Sequence, residues 1–462
     1  MAEGVAWRSR LSVPARVHFV GVGGVGMAGL ARLLVQAGFS VSGSDAAANR
    51  LTALLAETGV EIFRGHAVGH VPAGVLWAVR TPAVGEDNPE VQALRARGVP
   101  VFARGEVLAA LSRTRRTVAV AGAHGKTTTA AMLTHLLRAA GVDCGYAIGG
   151  ETGFPGVVAD RGSSDWFVCE ADESDGTLVH YAPEVGVLTH VEWDHVERFG
   201  SEAALLDCYR RFVARCGRVV IREADALARV VTADHAGVVM LGEDAVGPET
   251  VDDPEGQWVQ ARLNGEALRF RLPLPGRHNA WNAVMALTAA GMTGTDPVAA
   301  AASLETFASV GRRFERVNLK GVEIVHDYAH HPTEIRAVMA SVRALRPRRL
   351  VVAFQPHRFS RTRHLLGAFA EAFRGVDGLH LLPVYAASEA RELGVDSDAL
   401  LTACAQALGR ERVWMHGTGE ALIESVRKDL AIGDVFLIVG AGDIQEVFVR
   451  VQGILKETPE RR

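Results

Sequence analysis

The chain alternates short apolar runs with helical periodicities almost from its start. Residues 16–20 (RVHFV) read as a strand, and glycines at 21, 23, 24 and 26 follow it at once. Met27, Leu30, Leu34 and Ala37 then recur every three or four positions, which predicts an amphipathic helix. Residues 39–45 (FSVSGSD) predict the next strand, ending at Asp45. Further strand–helix units carry the pattern to about residue 111, and the polar, basic stretch 112–117 (SRTRRT) predicts a linker. A second segment opens on a strand at 117–122 (TVAVAG) and closes near Arg316. Within it, 255–274 alternates apolar and polar residues around Asn264-Gly265, the signature of an antiparallel hairpin. In the third segment apolar strands at 349–354, 379–384, 411–415 and 434–440 alternate with helical patterns at about 332–345, 362–374, 397–409 and 418–429. Such strict alternation requires a parallel sheet with helices on both faces. The pattern therefore predicts an α/β protein of three domains, 1–113, 114–317 and 318–462.

A length of 462 residues agrees with this count at roughly 150 residues per domain. The formal net charge of −4 supplies no global basic field, so neither nucleic acid nor an anionic membrane is an expected partner. The arginines clustered at Arg113, Arg115 and Arg116, and at Arg346, Arg348 and Arg349, read as solvated faces. No apolar run reaches the roughly 18 residues of a membrane span, and residues 1–16 lack the apolar core of a secretory signal. Five cysteines without a C-x-x-C pair read as free thiols of a reducing compartment, so the expected location is the cytoplasm.

Chemistry enters at the glycines. Gly21, Gly23 and Gly26 fit G-x-G-x-x-G between a strand and a helix, a loop that brings backbone N–H groups to a pyrophosphate. Asp45, at the end of the next strand, is placed to accept hydrogen bonds from ribose hydroxyls. On these residues alone NAD is the favoured ligand and a NAD(P)-dependent oxidoreductase the implied enzyme. A second phosphate loop changes that. Gly122-Ala123-His124-Gly125-Lys126-Thr127-Thr128 lies between a buried strand and a helix, departing from the full Walker pattern only at Val120. Its N–H groups would cradle phosphates, Lys126 would bridge the β and γ groups, and Thr127 would offer a hydroxyl to Mg²⁺. ATP and Mg²⁺ are the expected cofactors.

Two apolar strands, 165–175 and 185–195, run into Glu170, Asp172, Glu173 and Asp175 and into Glu192, Asp194 and His195, as metal ligands beside such a loop would. Asn279 and Asn282 lie three apart on a helix, where their amides could meet an adenine edge or Asn279 could cap the helix. Histidine and arginine crowd 326–334 (HDYAHHPTE), where Pro332 should open a helix, and 354–363 (FQPHRFSRTR). His326, His330 and His357 could converge on zinc, but Arg358 and Arg361 make a carboxylate pocket the better reading.

In this order, GVGGVGMAGLARLL, AGAHGKTTT, EADESD, GRHNAWNA, GRRFE, DYAHHPTE and QPHRFSRTR resemble the Mur ligases of bacterial cell-wall synthesis, from Gly21 to about Asp443. The resemblance implies a Rossmann-like N-terminal domain for a UDP-sugar. It implies a P-loop ATPase-like central domain with extra antiparallel strands for ATP, and a Rossmann-like C-terminal domain for an amino acid. Gly21, Gly23, Gly24, Gly26, Met27 and Asp45 would then hold the diphosphate of a UDP-sugar rather than NAD. Thr127, Glu170 and His195 would hold Mg²⁺. The loop from Gly122 to Thr128, with Asn279, Asn282, Arg313 and Asp327, would hold ATP, and Tyr328, His330, His357 and Arg361 would receive the amino acid. The implied activity is ATP-dependent ligation of L-alanine to the lactyl carboxylate of UDP-N-acetylmuramate through an acyl phosphate. Lys126, Glu170, His195, Arg313 and Asp327 would be catalytic, in a monomer or weak homodimer. The sister ligase that attaches a recycled tripeptide is the implied alternative. Two departures stand out: Ala123 replaces a common threonine, and no lysine occurs between Lys126 and Lys320, which excludes the carbamylated lysine of some sister ligases.

Overall fold

The computed structural model describes residues 10–11, 15–150, 158–247, 251–253, 255–263, 265–387, 389 and 397–457. Its first sheet holds β1 (Arg16–Val20), β2 (Ser40–Asp45), β3 (Glu61–Arg64), β4 (Val75–Arg80) and β5 (Val101–Ala103) in the order β3-β2-β1-β4-β5. All pairs are parallel. Strand order reverses beside β1, so the loop leaving its carboxyl end, Gly21–Gly26, opens into the crevice where such sheets take ligands.

The second sheet contains β6 (Arg116–Ala121), β7 (Gly145–Ala147), β8 (Ala159–Asp160), β9 (Trp166–Glu170), β10 (Val185–Leu188), β11 (Arg218–Arg222) and β12 (Val238–Leu241), in the order β12-β11-β10-β6-β9-β7-β8. Only β8 runs antiparallel. β9 and β10 flank β6 on either side, so the carboxylates at their ends arrive beside the phosphate loop. The antiparallel β13 (Val251–Asp253), β14 (Gly256–Leu263) and β15 (Glu266–Leu272) form a small separate sheet, as the alternation predicts. Asn264, half of the expected turn signal, lies outside the described residues.

The third sheet holds β16 (Glu315–Leu319), β17 (Val322–Asp327), β18 (Leu350–Phe354), β19 (Gly378–Leu381), β20 (Val413–Met415) and β21 (Val435–Val439), in the order β16-β17-β21-β18-β19-β20. Its parallel part matches the expected alternation, but β16 is an antiparallel edge strand. The predicted helix at 362–374 is two helices, Phe359–His364 and Leu366–Ala372. The predicted linker at 112–117 is almost consumed: Ser112 ends a helix and Arg116 begins β6. Arg116 is occupied there, with its guanidinium 4.1 Å over the Trp166 ring and paired with Glu184 at 2.6 Å. All five cysteines are buried and free. Among the described residues no helix is long and apolar enough to cross a membrane.

One apolar cluster spans the first two sheets, joining Leu30 and Leu108 to Leu178 and Tyr181. The backbones come close along this seam. A Cβ on Gly105 would meet Thr177 Oγ1 at 1.8 Å, and one on Gly29 would meet Ala159 Cβ at 3.2 Å. Gly105→Ala is therefore expected to overpack the seam and destabilise the protein by about 1–3 kcal/mol, read from chemical denaturation, whereas Gly59→Ala, which faces open space, tests only its positive φ.

Candidate active site

β6 delivers the phosphate loop. Gly122 (φ +124°) and Gly125 (φ +80°) take backbone conformations that side chains resist, and a Cβ on Gly125 would sit 2.6 Å from Asn282 Oδ1. Ala123 N–H donates to His190 O at 2.6 Å, so the position lacking the usual hydroxyl is held by its backbone. The helix Lys126–Ala139 starts here without a side-chain cap, the arrangement by which helix N-termini receive anions.

Lys126 Nζ donates to Gly122 O at 2.7 Å and to both Glu173 oxygens at 3.0 Å. Glu173 is 1% exposed, and its Oε1 also lies 3.4 Å from His195 Nε2. The carboxylate between the two cations is thus one that sequence reasoning left undistinguished in an acidic run. Burial opposes the Lys126 charge, yet Glu173, Asp172 and Glu170 hold the amine well above its ordinary range. Burial also opposes a charge on His195, but Glu173, Glu197 and Asp194 raise it to about 9.

Val120 of β6 pairs with Glu170 of β9, which sets the Glu170 carboxylate beside the loop. Thr127 Oγ1 donates to its oxygens at 3.1 and 3.0 Å, and Gly149 N–H donates to Oε2 at 2.8 Å. This hydroxyl and carboxylate are hard oxygen donors at a helix terminus and fit Mg²⁺. His195 is held as imidazolium by its carboxylates, so it joins that donor set only on losing its proton.

Beside the loop a cavity of about 220 Å³ opens between Thr128, Asn279, Asn282, Arg313, Phe314 and Asp327. Asn279 does not cap its helix, Arg277–Met292, because Gly276 occupies that place. Instead Asn279 Nδ2 donates to Pro275 O at 2.8 Å, and Asn282 Nδ2 donates to Asn279 Oδ1 at 3.4 Å. Arg312 (φ +64°) and Phe314 (φ +48°) flank Arg313 in left-handed backbone, each costing on the order of 1–3 kcal/mol. Asp327 holds this junction: Oδ2 accepts Phe314 N–H at 2.9 Å and Oδ1 accepts Ala329 N–H at 2.7 Å. Burial raises its carboxyl above the ordinary value.

A larger cavity of about 350 Å³ runs from Gly26 and Arg104 past Lys126, Thr127, Glu170 and His195 to Tyr328, His330, His357 and Arg361. Arg361 Nη2 donates to Asp194 Oδ2 at 2.9 Å, and Arg358 pairs with Glu197. His330 and His357 face one another at 5.8 Å, and His357 stacks on Tyr385 at 5.5 Å. His326 does not join them: it packs on Phe448 at 4.9 Å and points Nδ1 toward Glu315, so the three-histidine zinc cluster that the sequence made the lesser reading does not form.

Burial pushes His330 to about 3, and His278 and His357 to about 4, against an ordinary value of 6.5. His330 Nδ1 lies 3.0 Å from Tyr328 O, an atom that only accepts, so Nδ1 carries the hydrogen and Nε2 keeps the lone pair. These depressed values set an acid limit. Below pH 6.5 the unfolded chain takes up protons that the native chain refuses, so stability falls as pH drops toward 4. Denaturant midpoints at pH 7, 6 and 5 should decline in that order.

At the first glycine loop Asp45 serves the backbone, not a free ribose site. Its Oδ2 accepts Gly23 N–H at 2.8 Å, its Oδ1 accepts Ala47 N–H at 3.2 Å, and Asn49 Nδ2 donates to Gly23 O at 3.1 Å. Met27 is 2% exposed and packs into the core, so its side chain supports the loop from below. Gly24 has open space at its Cβ position, while a Cβ on Gly26 would meet the Arg104 side chain at 3.0 Å. Arg104, in the first turn after β5, therefore presents a guanidinium at the loop, 3.8 Å from Asp172, and sequence reasoning missed it.

Three family models match the chain in succession: Mur ligase family, catalytic domain, at residues 16–116; Mur ligase middle domain, at 120–290; and Mur ligase, glutamate ligase domain, at 312–442. A UDP-N-acetylmuramate–L-alanine ligase of Xylella fastidiosa (strain 9a5c) is 38% identical over 453 residues, covering 94% of each chain. One of Xanthomonas campestris pv. campestris (strain B100) is 40% identical over 447 residues, covering 93% of each. Among solved structures, UDP-N-acetylmuramate-alanine ligase MurC of Thermotoga maritima superposes with a TM-score of 0.81 at 27% identity, over 96% of this chain and 99% of that one. A murein peptide ligase of Psychrobacter arcticus 273-4, at 21% identity and a TM-score of 0.71, shares the fold over 96% of this chain and 100% of its own. Ligase models cover all three sheets, so the oxidoreductase expected from the first loop alone does not stand.

Proposed function

Since the chain belongs to the Mur ligase family, we propose that it is a UDP-N-acetylmuramate–L-alanine ligase, joining L-alanine to the lactyl carboxylate of UDP-N-acetylmuramate with conversion of ATP to ADP and phosphate. The observation that carries this is the continuity of the larger cavity. One space joins a glycine loop with an arginine, a phosphate-loop lysine, and a pocket of neutral histidine and arginine.

The chemistry follows from those groups. A lactyl carboxylate oxygen bonds to the γ-phosphorus of ATP, the bond to the bridging oxygen breaks, and ADP leaves. The alanine nitrogen then bonds to the acyl carbon, the carbon–oxygen bond to phosphate breaks, and the amine gives up a proton. The first step brings two anions together, and the Lys126 ammonium offsets their repulsion at the γ-phosphoryl group. For that it exchanges part of its contact with Glu173 for phosphate oxygens. Mg²⁺, held by Thr127 and Glu170, would neutralise further phosphate charge. Gly21–Gly26 and Arg104 hold the sugar diphosphate, and Asn279, Asn282 and Arg313 line the space for the nucleoside. Arg361 receives the alanine carboxylate, and His330 Nε2, bearing a lone pair, accepts the amine proton. Excluding water protects the acyl phosphate, which the junction at Arg312–Phe314 serves by closing one domain on the other. We place the enzyme in the cytoplasm, acting on small molecules without nucleic acid or membrane.

Phosphate release with UDP-N-acetylmuramate, Mg-ATP and either L-alanine or L-alanyl-γ-D-glutamyl-meso-diaminopimelate tests the assignment. Alanine should support release and the tripeptide should not; the reverse result assigns the sister activity.

A further inference from the structure

Three histidines stand around one carboxylate oxygen at the edge of the nucleoside cavity. Glu192 Oε2 lies 2.9 Å from His124 Nε2, 3.5 Å from His331 Nδ1 and 3.7 Å from His190 Nε2. The ligand atoms of Glu192, His124 and His331 all fall within 4.8 Å of one another. In a tetrahedral site with bonds of about 2.0–2.1 Å the ligand atoms stand about 3.3 Å apart, and the Glu192 separations to His124 and His331 lie on either side of that value.

The outer contacts are those of a metal site as well. His190 stands just outside this group, with Nδ1 held 3.0 Å from the buried Asp225 Oδ2. His124 points Nδ1 at Glu334 Oε1, 3.3 Å away. Carboxylate–histidine pairs of this kind fix the ring and its tautomer for a metal. Glu192 has its second oxygen occupied by the Thr333 hydroxyl at 2.8 Å. His331 Nδ1 accepts Thr333 N–H at 3.4 Å, a long bond that an ion facing Glu192 would displace. Its Nε2 is buried without a hydrogen-bond partner.

We propose that His124, Glu192 and His331 form a three-residue site for a divalent transition-metal ion of the zinc class, separate from the Mg²⁺ donors Thr127 and Glu170. Two imidazoles and one carboxylate, with a fourth position left for water, suit Zn²⁺ and disfavour Mg²⁺, which prefers oxygen. His124 belongs to the phosphate loop, Glu192 follows β10, and His331 opens the helix Pro332–Ala344 beyond β17. A bound ion would therefore fasten the third sheet's domain to the phosphate loop.

The test uses the full chain stripped with EDTA and titrated with ZnCl₂ by calorimetry in Mg²⁺ buffer without nucleotide. One equivalent should bind. His331→Ala and Glu192→Gln should each weaken it at least about tenfold, and Asp225→Asn, which touches none of the three ligands, should leave it unchanged. Glu170→Gln should leave the affinity unchanged. CoCl₂ in place of ZnCl₂ should give the intense visible absorption of tetrahedral Co²⁺, lost in His331→Ala. Circular dichroism of the metal-free variants confirms that they are folded. Absence of binding by the native chain, affinity indifferent to His331→Ala and Glu192→Gln, or affinity lost with Glu170→Gln alone would each overturn the proposal.

Discussion

Lys126→Met should lower the rate of ligation by about 10³-fold or more while leaving a folded protein. The expectation rests on charge. Making the acyl phosphate moves an anion onto an anion, and the amine at the head of the helix Lys126–Ala139 is the cation that touches both Gly122 O and Glu173. Methionine keeps the length of the chain and removes the charge. It also leaves Glu173, at 1% exposure, with His195 as its cationic neighbour. Breaking a buried pair costs about 3–5 kcal/mol, and the surviving imidazolium keeps the loss at the lower end. Single-turnover formation of ADP measures the first effect and a melting curve the second. Native rates of ADP formation would remove Lys126 from the chemistry. Lys126→Arg should recover little, because a planar fork cannot repeat the point contact with Gly122 O.

Arg361→Ala should raise the KM for L-alanine a hundredfold or more, with a much smaller change in the KM for ATP. Arg361 is buried and held by Asp194, which it keeps well below the usual carboxylate range against the opposing effect of burial. Substrate carboxylate can share this guanidinium, since its fork has donors to spare beyond one partner. Arg361→Ala removes the donor and leaves Asp194 with His195 as its cationic neighbour. A parallel rise in both KM values would instead make Arg361 a fastener between domains. Double substitution with Asp194→Ala separates the two, because a fastener loses nothing more once its partner is gone.

Much of this arrangement was readable from the chain because β9 and β10 are the strands beside β6. An apolar run ending in carboxylates therefore had to finish next to the phosphate loop. What escaped sequence reasoning is instructive. His326 and Asp327 are neighbours on β17, and successive side chains on a strand face opposite ways. Asp327 reaches the junction at Phe314, and His326 turns to Phe448. A histidine count cannot see that reversal. Asp45 occupies the expected place at the end of β2, but nothing in its neighbours reveals that Gly23 N–H claims the carboxylate. The β16–β17 hairpin was hidden because its turn, Lys320-Gly321, lacks the usual asparagine or aspartate, although both residues adopt positive φ (+53° and +79°). Glu173 and Arg104 announce themselves only through contacts between segments far apart in sequence.

Gly105 against Thr177 leaves no room for a methyl group, and that tightness decides how the molecule can breathe. The first two sheets are keyed together by bare backbone and a continuous apolar cluster, which ions in solution scarcely affect. The third meets the second through an apolar cluster of its own, in which Ala280 and Val284 join Val325 and Ile335, and through facing charges, Arg361 with Asp194 and Arg358 with Glu197. Added electrolyte loosens partly exposed charge pairs and spares apolar contact. Raising ionic strength should therefore weaken only the half-buried Arg358–Glu197 pair while the buried Arg361–Asp194 pair and the apolar contacts hold all three bodies together, so small-angle scattering should register little change in the radius of gyration.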